Sequence, residues 1–124
     1  MSTRGWTERV EDILDAIVEI ETFVSGMELG NFRSDFKTIR AVELNLIIIG
    51  EAASRIPDDI QAAYPEIPWS FMKAMRNRLV QAYFNVDAQI LWDTVHDDLP
   101  PLKAALRQLA ASPPLNPEPE AEDS

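Results

Sequence analysis

Four polar side chains that could take part in chemistry lie close together in the segment from Arg76 to Tyr83. Arg76 is a permanent cation, Asn77 and Gln81 carry amides, and Tyr83 carries a hydroxyl. At about 100° per residue in a helix, Arg76 and Tyr83 point within ~20° of each other and lie about 10 Å apart, whereas Gln81 points ~140° away from Arg76. One helix therefore does not bring Arg76 and position 81 together, but a twofold-related second copy could.

The remaining composition argues against several other kinds of site. The chain has no cysteine, which excludes disulfides and thiolate metal sites, and its single histidine is His96. A zinc site and a Ser-His-Asp hydrolase are therefore poorly supported, and we expect no metal ligands. His96 adjoins Asp97 and Asp98 and is predicted to lie on the surface.

The segment from Met75 to Asp87 resembles the signature of HepT-like proteins of the HEPN superfamily. That signature is an arginine, a polar residue, three further positions and then His-x-Tyr. Arg76, Asn77 and Tyr83 match it, and Gln81 stands at the histidine position. The resemblance covers most of residues 10–110 and continues in further blocks: Ile39-Arg40-Ala41-Val42-Glu43, Ile49-Gly50-Glu51-Ala52-Ala53, Ile67-Pro68-Trp69, and Val86-Asp87 to Trp92, Leu99 and Pro100.

The resemblance implies an activity, a partner and a role for each motif residue. HepT-like members are helical, dimeric, metal-independent ribonuclease toxins, and they are silenced by an MntA-like nucleotidyltransferase that transfers AMP from ATP to the motif tyrosine. Carried over, Arg76 would bind the scissile RNA phosphate, Asn77 would support it, position 81 would supply acid/base chemistry, and Tyr83 would accept AMP. No cofactor is implied.

Gln81 changes this expectation. Cleavage through the RNA 2′-hydroxyl needs a group that exchanges protons near neutral pH, and a carboxamide does not titrate. Losing that group typically costs about 10²–10⁴-fold in rate, so we expect a weak or inactive nuclease. The sequence permits a natural inactive or divergent member, or a chain altered to spare its host. The alternative function is a non-catalytic HEPN binding module for a nucleotidyltransferase or RNA.

Basic residues outside the motif form a weaker set of candidate RNA contacts. Arg33, Lys37 and Arg40 are spaced to form one stripe at the start of the second predicted helix. A solvated face balanced by Asp35 and Glu43 explains that stripe equally well. Arg78 joins the set, although it and Arg76, taken without their neighbours, are most simply surface charges.

Two glutamates, Glu43 and Glu51, fall in the most apolar predicted helix, where an unpaired carboxylate would be costly. We expect each to pair with a base such as Arg40 or Arg55, or with a base of the motif. The three tryptophans are most simply core or interface aromatics: Trp6, Trp69 and Trp92.

Apolar residues recur at intervals of three and four, which predicts an all-α domain: an antiparallel bundle of four main helices plus one short helix. Helix one covers roughly 3–25 and ends near Gly26. The second starts at Asn31 or Ser34 and runs to Ile56, and Gly50 permits a close backbone approach. The predicted remainder is a short helix that opens at Pro57 and ends before Pro65, a helix over 68–84, and a last helix capped by Asp87 and kinked at Pro100-Pro101.

Composition changes sharply at the end of the chain. Residues 112–124 hold four prolines and carry −4 of the net charge of −10, which predicts a disordered acidic tail after a domain at 1–111. The longest uninterrupted apolar run, Leu46 to Ile49, is far too short to span a membrane. We expect a homodimer, because the centre of helix two is apolar almost all round. We also expect a cytoplasmic location, because acidic residues and not a continuous apolar stretch follow Arg4 and Arg9.

Overall fold

The structure is a computed structural model, and it describes residues 5–82 and 85–111. Within those residues it is all-α, as predicted, and contains no strand. Four long helices alternate with three short ones and one π-helical turn. In chain order they are α1 (Trp6–Val24), α2 (Leu29–Ser34), α3 (Phe36–Ser54), α4 (Asp58–Ala63), α5 (Trp69–Ala82), α6 (Ala88–Asp93), the π-turn (Thr94–Asp98) and α7 (Leu99–Ala111).

The core forms along α3, which packs against both α1 and α5, while α7 covers another side of α1. The apolar stripe predicted for α1 is buried, and it includes Val10, Ile13, Ile17 and Ile20. The helix ends before Gly26, whose φ of 77° is the left-handed conformation that favours glycine. No helix in the described part of the chain is both long enough and apolar enough to cross a membrane.

The second predicted helix is two helices, so its single start at Asn31 or Ser34 is wrong. Asn31 lies inside α2, where its side-chain oxygen accepts a hydrogen bond from the Glu28 backbone N–H at 3.0 Å. Asp35 then interrupts the helix and caps α3, accepting from the backbone N–H of Thr38 at 3.0 Å and from its hydroxyl at 2.8 Å. These bonds lower the pKa of Asp35. A local cap thus competed successfully with helix continuation.

The last predicted helix is also divided, and its predicted kink at Pro100-Pro101 stays a prediction. Its break lies earlier, in the π-turn, where the Leu99 backbone N–H bonds the carbonyl of Thr94. Helix α7 begins at Leu99, so both prolines lie in its first turn, where backbone N–H groups need no partner within the helix. The sequence predicts one buried apolar stripe along this region, and all but one of its members are buried: Leu91, Val95, Leu99, Leu102, Leu106 and Leu109. The first member, Ile90, is partly buried.

Residues 112–124, which the sequence predicts to be a disordered tail, lie outside the described residues.

Candidate active site

Arg76 lies on α5 at a close crossing with α3. A Cβ atom built on Gly50 would lie 2.1 Å from the Cβ atom of Arg76 and 2.7 Å from the carbonyl oxygen of Met72. Both distances are far shorter than any van der Waals contact, so the two helices approach this closely because residue 50 has no side chain. The prediction that Gly50 permits a close backbone approach is confirmed.

A second set of contacts ties the two helices together near the start of α5. The Gln61 amide donates to the carbonyl of Ile56 at 2.9 Å, and it accepts a hydrogen bond from Lys73 of α5 at 3.1 Å. The indole N–H of Trp69 donates to the Tyr64 carbonyl at 3.0 Å. The position of α5 against the end of α3 is therefore fixed by polar contacts as well as by packing.

The Arg76 guanidinium is held from two sides. Its Nε atom donates to Oε2 of Glu51 at 2.8 Å, and its Nη2 atom lies 2.5 Å from the same oxygen in an ion pair. Its Nη1 atom donates to the Asn77 side-chain oxygen at 2.9 Å. The side chains of Arg76 and Glu51 are 36% and 40% exposed, so the guanidinium is ordered yet reachable from solvent. Of the partners considered for Glu51, the structure selects the base of the motif.

Of the other described motif residues, Asn77 bonds Arg76 and Gln81 does not. Asn77 and Gln81 are both exposed on α5. Gln81 makes no side-chain hydrogen bond to another described residue, and Arg76 is five residues away on the same helix. Tyr83 lies outside the described residues, so the predicted stripe shared by Arg76 and Tyr83 stays a prediction.

The basic stripe predicted for one helix is divided by the break at Asp35. Arg33 belongs to α2, where it donates to the Gln89 side chain at 3.0 Å and lies 3.9 Å from the Asp87 carboxylate. Arg40 of α3 donates to Glu43 at 3.0 Å. Lys37 and Arg78 are exposed. Two members of the set are thus engaged in ion pairs, which fits the alternative of a charge-balanced face.

Glu43 is the buried carboxylate of α3. Its Oε1 atom accepts from Arg40, as expected, but its Oε2 atom is buried and has no hydrogen-bond partner. Burial raises the pKa of Glu43, and the nearby Arg40 cation opposes that shift.

The tryptophans and the histidine occupy structural positions. Trp6 and Trp69 are buried, while Trp92 packs between Phe32 and His96, with ring centroids 5.3 and 4.0 Å away. His96 is exposed, and its Nδ1 atom lies 2.8 Å from the Trp92 carbonyl oxygen. No three acidic or histidine side chains in residues 5–82 and 85–111 are grouped so that they could hold a metal ion. The candidate site therefore centres on Arg76, Asn77 and Glu51.

Four exposed large apolar side chains lie on the two helices that carry the site, and three of them lie near it, whereas the fourth is at the start of α3. Leu44 and Ile48 lie four residues apart on α3, and Ile48 is three residues before Glu51. Val80 lies on α5, four residues after Arg76. We call Leu44, Ile48 and Val80 the apolar row. It places water-exposed hydrophobic surface within about one to two helical turns of the ion pair.

Comparison with known proteins identifies the family of the chain. Residues 13–109 match the family model described as "Ribonuclease HepT-like". A protein of Thermococcus cleftensis named "Probable ribonuclease HepT" is 44% identical over 106 residues, which cover 86% of this chain and 96% of that protein. A Methanocaldococcus jannaschii protein named "Putative RNase MJ0127" is 37% identical over 89 residues, or 72% of this chain and 74% of that protein. No solved structure matches significantly.

Proposed function

Because the chain belongs to the HepT-like ribonuclease family, we propose that it has the site of an endoribonuclease toxin that cleaves RNA without a metal ion. The observation that carries the proposal is the state of Arg76, which is ordered by Glu51 and Asn77 and still open to solvent. A guanidinium in this state can bind a phosphate through two parallel hydrogen bonds. The overall negative charge sets solubility and does not exclude a local phosphate site.

The proposed cleavage uses the 2′-hydroxyl of RNA as the nucleophile. The 2′ oxygen attacks the adjacent phosphorus, the bond from phosphorus to the 5′ oxygen breaks, and a 2′,3′-cyclic phosphate forms. One proton leaves the 2′-hydroxyl and one reaches the departing 5′ oxygen. Arg76 binds the phosphate oxygens as charge develops on them, Asn77 supports Arg76, and position 81 is the acid/base position.

Gln81 limits this activity, because its amide can donate and accept hydrogen bonds but cannot exchange a proton at neutral pH. We therefore propose that the chain is an impaired nuclease. The same residue favours a second candidate function, a non-catalytic module that binds RNA or a nucleotidyltransferase. In both cases Arg76 is the phosphate-binding residue, and the two functions differ in whether position 81 can be repaired.

A homodimer completes the proposed site. Position 81 points away from Arg76 on its own helix, whereas a twofold-related copy can place its position 81 opposite Arg76. The apolar row supports this arrangement, since it offers hydrophobic surface on the same two helices that carry the site.

The proposed partner is an MntA-like nucleotidyltransferase antitoxin that transfers AMP to Tyr83. An adenylate on that tyrosine would bring a phosphodiester and a bulky nucleoside into the cleft. Its anion could pair with Arg76 or with the partner copy's arginine and so occupy the place of RNA phosphate. The chemistry needs the tyrosine hydroxyl and not an imidazole, so Gln81 leaves modification possible.

The remaining assignments complete the proposal. Exposed Lys37 and Arg78 can extend the RNA-binding surface, and Arg33 and Arg40 can do so after leaving their carboxylate partners.

We place the domain at residues 1–111, with an acidic Pro-rich tail at 112–124, and the protein in the cytoplasm.

Restoring the histidine tests the function. We expect Gln81→His to cleave RNA in the presence of a chelator, about 10²–10⁴-fold faster than the parent. Adding Arg76→Ala to this variant should abolish the gain, since no group would then bind the phosphate. The measurement is the rate of oligonucleotide cleavage, with Gln81→Ala as the non-titrating control.

The outcomes separate the candidates. Cleavage that requires magnesium or manganese would contradict the proposed chemistry, and unchanged cleavage on Arg76→Ala would remove Arg76 from the site. A Gln81→His chain that binds RNA through Arg76 without cleaving it would favour the binding module.

Modification is tested by intact mass. After incubation with the nucleotidyltransferase encoded beside it, ATP and magnesium, we expect adenylate increments on the parent and none on Tyr83→Phe. The chain has one other tyrosine, so Tyr64→Phe is the matched control and should be modified like the parent. Increments that persist in Tyr83→Phe would place the modification elsewhere.

A further inference from the structure

We propose that Glu51 is the positioning residue of this site: it fixes the guanidinium of Arg76 so that the arginine's remaining N–H groups face an RNA phosphate. The inference rests on the proposed function, because it concerns the same phosphate site. It concerns a residue outside the motif, on a different helix, whose role follows from its contacts with Arg76.

The contacts leave a defined part of the guanidinium free. Arginine has five N–H bonds, one on Nε and two on each terminal nitrogen. Hydrogen bonds engage the Nε bond, which goes to Glu51, and one Nη1 bond, which goes to Asn77. The Nη2 atom lies 2.5 Å from the same Glu51 oxygen in the ion pair. Further N–H bonds on the terminal nitrogens are therefore left to bind phosphate oxygens.

The backbone makes Glu51 a firm reference point. It directly follows Gly50, at the crossing where a side chain on residue 50 would collide with Arg76. Because α3 and α5 pack closely here, the backbone of Glu51 and the Cβ atom of Arg76 keep a fixed separation. Glu51 thus controls the direction of a long side chain that would otherwise adopt many rotamers.

Stabilisation of the fold does not explain this pair. Both side chains are more than one third exposed, and ion pairs at that exposure contribute little to folding because water and salt screen them. Orientation is different, since an arginine already held in its binding direction loses less freedom when the phosphate arrives.

A competing role predicts the opposite effect on binding. The Glu51 carboxylate is an anion beside an anion site, so if it merely competed with phosphate, its removal would tighten RNA binding. If it positions Arg76, its removal weakens binding even though a negative charge has been lost. The sign of the change therefore separates the two roles.

The test uses the full chain and an RNA oligonucleotide whose 2′-hydroxyls are methylated, so that binding is measured without cleavage. We expect Glu51→Ala to weaken binding by about tenfold and Glu51→Gln to retain part of the affinity, because an amide oxygen can still accept from Arg76. Glu21 is the matched control: its carboxylate is 39% exposed and pairs with Lys103 at 2.7 Å on other helices. Glu21→Ala should bind like the parent.

A double-mutant cycle connects the effect to Arg76. Glu51→Ala should have no further effect in an Arg76→Ala chain, because the residue it positions is gone. Thermal unfolding of Glu51→Ala should match that of Glu21→Ala, which excludes a general loss of structure.

The results distinguish failure of this inference from failure of the proposed function. If Arg76→Ala binds RNA as well as the parent, the phosphate site itself is wrong. If Arg76→Ala weakens binding but Glu51→Ala leaves it unchanged or tightens it, the positioning role is overturned. In the Gln81→His chain, a Glu51→Gln variant as inactive as Glu51→Ala, with an altered pH profile, would also overturn it, because Glu51 would then be exchanging a proton.

Discussion

At the scale of single residues, the two glutamates of α3 behave differently in the same apolar helix. Glu51 is partly exposed to solvent, and the Nε and Nη2 atoms of Arg76 both contact one oxygen of its carboxylate. Glu43 is buried, with one oxygen bonded to Arg40 and the other bonded to nothing. A buried carboxylate with an unpaired oxygen is unfavourable when charged, which is why burial raises the pKa of Glu43.

This difference predicts that Glu43→Gln raises the free energy of unfolding in a pH-dependent way. Because the pKa of Glu43 is higher in the folded chain, its contribution to stability is fully present below the unfolded value of 4.5 and is lost as pH rises through the folded pKa. A neutral amide avoids that loss. We expect the variant to gain about 1 kcal/mol over the parent at pH 7–8 and to match it near pH 4.

The measurement is urea unfolding across this pH range. Glu19→Gln, at an exposed position of α1, is the control and should change stability little at any pH. A Glu43→Gln chain that is less stable than the parent at pH 7 would show that the bond with Arg40 outweighs the cost of burial.

At the scale of elements, the close crossing of α3 and α5 organises the site. It brings the end of one helix against the middle of another, so that a carboxylate and an arginine from distant parts of the chain meet. The crossing depends on glycine at residue 50, because any side chain there would collide with α5. Gly30 offers a natural comparison, because a Cβ atom there would meet nothing within 4 Å.

Gly50→Ala is expected to destabilise the fold by roughly 1–3 kcal/mol, since its methyl group would force α5 away from α3. It should also weaken RNA binding by displacing Arg76. Gly30→Ala should leave stability unchanged or raise it slightly, because alanine favours helix more than glycine does. Urea unfolding of both variants checks the prediction, and equal stabilities would contradict the tight crossing.

At the scale of the whole molecule, surface groups bear on the proposed homodimer. The net charge of −10 opposes indiscriminate association, while the apolar row places hydrophobic surface beside the site. A second copy that covered this row would bring two Arg76 residues and two Gln81 residues into one cleft.

We expect a particle of twice the 14.0 kDa chain mass in solution and a monomer for Ile48→Glu, which would bury a charge in the interface. Val18→Glu is the matched control, because Val18 is 42% exposed and Ile48 is 40% exposed, but Val18 lies on α1. Light scattering at micromolar concentration measures the particle mass of the parent and of both variants. A parent of 14.0 kDa, or dissociation by both variants alike, would contradict an interface at the apolar row.

The sequence by itself determined the features that depend on neighbours a few residues apart. The buried stripes of α1 and of the last helical region follow from apolar residues spaced by three and four, and the end of α3 follows from Pro57. The motif on α5 was also visible directly. These features are local, so periodicity and side-chain type are sufficient to predict them.

Only the tertiary structure decided which distant groups meet. Glu51 had several possible basic partners, and the crossing at Gly50 brings it to Arg76. Arg33 contacts Asp87 and Gln89, which lie more than fifty residues away in the sequence. Phe32 of the separate helix α2 likewise packs against Trp92, which lies far away along the chain. The physical reason is common to all of them: pairing depends on how helices pack in three dimensions, and hydrophobic periodicity identifies the buried face of a helix without identifying its partner.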